Sequence, residues 1–209
     1  YYAEYTGDFM PEVYYGRFSA TTVAELQVQI DKTLEYEQFL FTDTNWLNKV
    51  VMIAGVDGTF GPTHANGQIN YGTSYYFNSA NGLTSMTHLY PASGNEDALI
   101  RTEIGEGVAF ANYTAHGWDQ GWGDPSFSNT DIPAMGNAHK YPLMIGNACL
   151  TNKFDEAVCF GEALLRAQDK GAIGYIGGSN STYWDEDFYW GCGVGTVSAN
   201  PTYAGTTLG

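Results

Sequence analysis

Three side chains in this sequence are of the types that acyl transfer through sulfur requires: Cys149, His116 and Asp57. A thiolate attacks, an imidazole moves the protons, and a third group orients the imidazole. The imidazole must hand a proton to the leaving group, so a side chain that titrates near working pH suits the task. His116 is followed by Gly117, which lets the backbone come close to a bound acyl group. The N–H groups of Gly117 and Cys149 are then the candidate donors to a developing oxyanion. Asp57 is the candidate to accept the other imidazole N–H and fix the tautomer. Each residue alone has a plainer reading as a loop histidine, a packed cysteine or a turn aspartate. Their shared position, just past three apolar strands, sets them apart.

Those strands come from the hydrophobic pattern. Lys49-Val50-Val51-Met52-Ile53-Ala54 is a continuous apolar run ending at Gly55, which predicts a strand buried on both faces of a parallel sheet. Residues 107–114, 141–147 and 172–176 predict three more. Asp57 follows the first, His116 the second and Cys149 the third, and in such sheets ligands gather at the carboxyl edge. Thr22-Val23-Ala24-Glu25 is a capping box, and Val23, Leu26, Ile30 and Leu34 then recur at helical spacing, so a helix is expected to about residue 39. Residues 159–170 predict a second helix, with Phe160, Ala163, Leu164 and Ala167 on one face and Gly171 as its stop. Residues 12–18 alternate and are rich in aromatics, which predicts a strand. Strands alternating with helices give an α/β fold around a mostly parallel sheet. No repeat, low-complexity tract or linker divides residues 1–209, so a single domain is expected.

Composition narrows the partners. Eight Lys+Arg stand against 23 Asp+Glu, a net charge of −15. That field repels nucleic acid and anionic lipid. It suits cationic partners, calcium or simple solubility. No apolar run reaches the length of a membrane span. The start, Tyr1-Tyr2-Ala3-Glu4, carries no leader and reads as an internal start left by processing. Three cysteines without a CxxC argue against a disulfide framework or a zinc site and leave at least one free thiol. The 16 Tyr, 11 Phe and 5 Trp, with 26 Gly, match a secreted type of surface.

Several stretches together resemble the gingipain family of cysteine peptidases (peptidase family C25). They are Asn112-Tyr113-Thr114-Ala115-His116-Gly117, Gly146-Asn147-Ala148-Cys149, Cys159-Phe160-Gly161-Glu162 and Tyr175-Ile176-Gly177-Gly178-Ser179. Ser181-Thr182-Tyr183-Trp184-Asp185-Glu186-Asp187-Phe188-Tyr189-Trp190 is most similar to the lysine-type members. The likeness runs from Asp8-Phe9-Met10-Pro11-Glu12 to Gly205-Thr206. It implies a caspase-like three-layer α/β/α sandwich and a cysteine endopeptidase, secreted or on the bacterial cell surface, that cleaves protein or peptide substrates after a basic residue, Lys foremost. It puts the nucleophile at Cys149, the catalytic histidine at His116 and the orienting acid at Asp57, the same three positions.

The resemblance also implies a pocket. The acid that binds the substrate lysine falls on Asp187, the polar wall on Thr114 and Asn147, and the neighbouring aromatic on Trp184. An ammonium with three donors is well matched by one carboxylate and neutral acceptors. Lysine-type members carry calcium near the segment that here reads Thr6, Asp8, Met10 and Glu12, so Asp8 and Glu12 are the expected ligands of a structural calcium. Thr6 stands where the family tends to have another acid. No organic cofactor is implied. The family's catalytic unit extends further at both ends, so the chain is expected to be a fragment of a longer secreted protein with flanking domains. Two other readings compete: a non-catalytic gingipain-like secretion or surface-binding module, and a calcium- or glycan-binding module. The intact Cys149, His116 and Asp57 set weighs against the first. The long capped helix weighs against an all-β glycan module.

Overall fold

A computed structural model describes residues 15–202 together with Thr6 and Val13. Helix α1 (Val23–Glu37) begins at the expected cap: the Glu25 N–H donates to Thr22 Oγ1 at 3.2 Å, and the Glu25 carboxylate accepts in return from the Thr22 N–H at 3.3 Å. Strand β1 (Lys49–Ala54) follows, with the two-sided burial that its apolar run predicts. Then come α2 (Asn66–Tyr75), β2 (Thr84–His88), α3 (Asp97–Glu106), β3 (Phe110–Thr114) and three two-residue strands, β4 (Gly117–Trp118), β5 (Gly121–Trp122) and β6 (Phe127–Ser128). The chain continues through β7 (Leu143–Asn147), α4 (Phe160–Arg166), β8 (Gly174–Gly177) and α5 (Trp184–Cys192). The main sheet is parallel throughout, in the order β2-β1-β3-β7-β8, and β4-β5-β6 form a small antiparallel sheet beside it.

Period-two alternation divides the core into layers. On one face Val51, Ile53, Ala111, Tyr113 and Met144 pack with Ile100 and Ile104 of α3 and Leu164 of α4. On the other, Val50, Met52 and Ala54 pack with Ile69 of α2, and Tyr71 of α2 meets Phe188 and Cys192 of α5. The result is an α/β/α sandwich. Its sheet reverses direction of winding between β1 and β3, the kind of switch point at whose carboxyl edge such folds gather ligands.

Several expectations are corrected. Residues 15–18 form no strand, and of the expected strand's other residues only Val13 is described; the Ser19 carbonyl is instead tied to Gln29 and Arg166 side chains. The expected apolar stripe of α1 is not its buried face: Val23 is 82% exposed and Leu34 46%, while Gln29 and Lys32 are buried. Lys32 Nζ donates to the Leu164, Leu165 and Ala172 carbonyls at 3.1–3.3 Å and sits 4.9 Å from the centre of the Tyr141 ring, so α1 is docked by polar anchors at the end of α4. Strand β3 starts later than expected because Gly107, at φ 104°, closes α3. Helix α4 ends early. Gly171, at φ 80°, serves the turn beyond it, where the Ala172 N–H donates to the Leu164 carbonyl at 3.1 Å.

Candidate active site

The sheet register decides which residues meet. Ala54 pairs with Thr114, and Thr114 with Asn147, so β1, β3 and β7 end level with one another. Asp57, His116 and Cys149 each follow within three residues, on the loops past those ends. Loops at such an edge are free of the ladder, and their side chains can converge.

His116 Nε2 lies 2.8 Å from Asp57 Oδ2. The other Asp57 oxygen, Oδ1, accepts from the Thr59 and Phe60 N–H groups at 2.8 Å each. Burial pushes the Asp57 carboxyl up, but the Phe60, His116 and Thr59 donors outweigh it and hold the group below the usual aspartate value. The ionised Asp57 thus assigns the proton to Nε2 and leaves Nδ1 as the basic nitrogen. The His116 carbonyl is fixed by the Tyr113 hydroxyl at 2.7 Å and the Gly123 N–H at 2.9 Å. Trp184 stands edge-on to the imidazole, with centroids 5.5 Å apart, and is itself stacked on Phe60.

Cys149 is half-buried, not part of the apolar core, and its thiol is free, as are those of Cys159 and Cys192. Its sulfur contacts Thr182, whose N–H donates to Sγ at 3.3 Å. Gly117 runs directly beside it: a Cβ there would stand 2.8 Å from Ala148 Cβ and 2.9 Å from the Cys149 carbonyl oxygen. The Gly117 N–H points away from β5. His116 and Gly123 form a hydrogen-bonded pair, so the next pair, Gly117 with Trp122, is the non-bonded kind. The Cys149 N–H likewise has no backbone acceptor among the described residues.

A pocket of about 380 Å³ opens between the ends of β7 and β8 and the first turns of α5; Cys149 is not one of its walls, but Thr182, which contacts its sulfur, is. Asn147, Thr182, Tyr183 and Asp187 are among its walls. Asp187 Oδ2 accepts from the Thr182 hydroxyl at 2.8 Å. Burial pushes the Asp187 carboxyl above its usual value; the Thr182 bond opposes this and Glu186 adds to it. Asn147 spends both amide hydrogens, on Gln68 Oε1 and the Asp187 carbonyl at 2.9 Å each, which leaves its own Oδ1 as an acceptor. Thr114 is fully buried and is not a wall of this pocket; Gln68 Nε2 donates to its hydroxyl at 2.9 Å and so joins it to Asn147. Trp184 also stands outside the pocket, on the His116 side. Gln68 and Thr182 were not foreseen; both are neutral polar residues whose roles exist only through tertiary contacts. Asp8 and Glu12 lie outside the described residues. Among the described residues, no cluster of His, Cys, Asp and Glu has the arrangement of a metal site.

A family model, peptidase family C25, matches residues 1–203. The chain belongs to this family. Lys-gingipain HG66 of Porphyromonas gingivalis is 41% identical over the whole chain, and gingipain R2 of the same organism is 33% identical over 78% of it. The matches cover 12% and 22% of those proteins, so the chain spans only a small part of the relatives' length. A solved protease structure superposes with a TM-score of 0.89 at 40% identity, covering all of this chain and 46% of that one. An Arg-specific cysteine proteinase, gingipain R, superposes with a TM-score of 0.71 at 29% identity over 87% of this chain and 43% of its own. The sandwich is therefore the gingipain-type, caspase-like fold. Among the described residues no helix is long and apolar enough to cross a membrane.

Proposed function

We propose that this C25 chain is the catalytic region of a secreted or surface-bound cysteine endopeptidase that cleaves after Lys. The observation that supports the reading is the level ending of β1, β3 and β7, past which the bonded Asp57–His116 pair and the half-buried Cys149 follow, with Gly117 against the Cys149 backbone. In the proposed reaction His116 Nδ1 takes the thiol proton and Sγ attacks the carbonyl carbon after Lys. The Gly117 and Cys149 N–H groups receive the oxyanion. His116 returns the proton to the leaving amine, the C–N bond breaks, and water, deprotonated by the same nitrogen, releases the acyl group. Asp57 holds the ring and stabilises the imidazolium without taking its proton.

Specificity is assigned to Asp187, with Asn147 Oδ1 as neutral acceptor, Thr114 braced behind through Gln68, and Trp184 bounding the site beside His116. The higher identity and fuller coverage with Lys-gingipain than with gingipain R2 favour Lys over Arg. Calcium held by Asp8 and Glu12 belongs to the same proposal on the sequence alone, as do a single-domain organisation, flanking domains and the absence of a nucleic-acid partner. Paired Lys and Arg fluorogenic peptides, assayed on the full-length protein and its Cys149→Ala variant, test the reading. Cleavage after Lys that Cys149→Ala abolishes supports it. No turnover, together with no labelling of Cys149 by a Lys-directed chloromethyl ketone, favours a non-catalytic family member instead.

A further inference from the structure

Among the described residues, all the hydrogen-bonding partners of Cys149 Sγ belong to one residue. The Thr182 N–H donates to it at 3.3 Å, the Thr182 carbonyl lies at 3.7 Å and the Thr182 hydroxyl at 3.8 Å. That same hydroxyl donates to Asp187 Oδ2 at 2.8 Å. Thr182 is held there by the backbone: the Leu150 N–H donates to the Asn180 carbonyl at 3.1 Å and the Asn152 N–H to the Gly178 carbonyl at 2.9 Å, so its loop is laced to the loop of the nucleophile. A threonine hydroxyl has a single hydrogen. That hydrogen has two acceptors within reach, and the shorter, carboxylate bond holds it.

We propose that Thr182 is a positioning residue that links occupation of the Asp187 pocket to the reactivity of Cys149. An ammonium seated on Asp187 satisfies the carboxylate, and the Thr182 hydroxyl turns its hydrogen to Sγ and stabilises the thiolate. The inference rests on the assignment of Asp187 as the acid that receives the substrate's basic side chain. Rotation of the O–H bond is the only motion it needs. An ammonium brings charge and up to three donors, so the hydroxyl gains little by staying on Oδ2. A thiolate, which already accepts from the Thr182 N–H, gains more from a second donor on the same residue. The correct side chain then speeds the chemical step as well as strengthening binding, and discrimination shows in kcat as well as KM.

The test uses alkylation of Cys149 by iodoacetamide in the full-length protein at neutral pH, read by peptide mass, with and without n-butylamine. The thiolate displaces iodide and no other catalytic group is involved. Cys159 and Cys192 are buried, which pushes their thiols to about 11 and about 12, and their peptides are scored separately. Butylamine should compete with a lysine ester and speed alkylation of Cys149 about 2- to 5-fold, the effect of one hydrogen bond reduced by the lower nucleophilicity of a stabilised thiolate. n-Butanol should do neither. At matched occupancy Thr182→Val should keep the competition and lose the acceleration, while Thr182→Ser should keep both. Competition without acceleration in the wild type overturns the proposal, as does acceleration that persists in Thr182→Val. If butylamine fails to compete at all, the pocket assignment falls first and the link with it. Should Thr182→Val unfold, the wild-type and Thr182→Ser responses decide by the same criteria.

Discussion

Asp187→Asn removes one charge from the proposed pocket and changes almost nothing in shape. The side chain sits at the fourth position of α5, half-buried, with Oδ2 bound to the Thr182 hydroxyl. An asparagine oxygen keeps that bond. What it loses is the attraction for a lysine ammonium taken partly out of water. Deleting one partner of a fully buried ion pair costs about 3–5 kcal/mol. This pocket is open on one side, so roughly 2–3 kcal/mol is the working figure, or about 30- to 150-fold at 1.36 kcal/mol per decade. The assay is kcat/KM for a lysine amide beside a small neutral ester that leaves the pocket empty. The lysine substrate should lose the full factor and the ester less than about three-fold. Equal losses on both would show that Asp187 acts on the catalytic groups or the fold, and no loss on either would move the pocket to Asp185 or Glu186. Acidification should imitate the substitution. Burial raises the Asp187 carboxyl, so as pH falls it loses its charge before an ordinary aspartate does, and the lysine-to-ester ratio should fall with it.

Other consequences can be measured directly. Cys149→Ala should abolish turnover, whereas Asp57→Ala should lower kcat by roughly 10²- to 10⁴-fold and leave residual activity; equal and complete losses with the fold intact would contradict an orienting role. The stability that Asp57 contributes should be present above the unfolded aspartate value, about 4, and vanish as pH falls through its lower folded value, so the Tm gap to Asp57→Asn should close in acid. Burial pushes Lys32 from 10.5 to about 7, so the unfolded chain binds the extra proton between those values; relative to Lys32→Met, wild-type stability should rise across that window by at most about 5 kcal/mol, read by urea melts. Gln68→Leu strips the brace from Thr114 and Asn147 and should cut kcat/KM for the lysine amide about ten-fold or less, sparing the ester.

Legibility in the sequence followed local signal. Strand β1 was readable to the residue because a run apolar on both faces has one structural use in an α/β chain. The α1 cap was readable because its two bonds are between near neighbours. Helix α2 was not: Asn66-Gly67-Gln68-Ile69-Asn70-Tyr71-Gly72 has no helical apolar period and contains two glycines. Tertiary crowding explains the first of them, since a Cβ at Gly67 would lie 2.1 Å from the Ser198 carbonyl oxygen. Strand β2, Thr84–His88, is polar because it lies at the sheet edge, where burial no longer selects for Val and Ile. Helix α5 carries three consecutive acids in its first turn, after Trp184, which look like a solvated loop until they are seen at a helix N-terminus, where the dipole favours them.

The two candidate aspartates show why position after a strand finds reactive residues but not their electrostatics. Asp57 and Asp187 are the same residue type, and their carboxyls move in opposite directions. Asp57 receives three donors, two from its own turn and one from His116, so it is ionised and complete. Asp187 receives one hydroxyl, beside Glu186, and is partly buried; its charge is under-satisfied. A carboxylate with all its partners orients a neighbour, because it has nothing to gain by moving or changing protonation. A carboxylate short of partners gains most from a ligand that brings charge and several donors together. No count of acids in a chain of net charge −15 separates these two cases. The separation comes from backbone N–H groups and a threonine that the fold delivers from elsewhere, and it supports the proposed orienting task of Asp57 and binding task of Asp187.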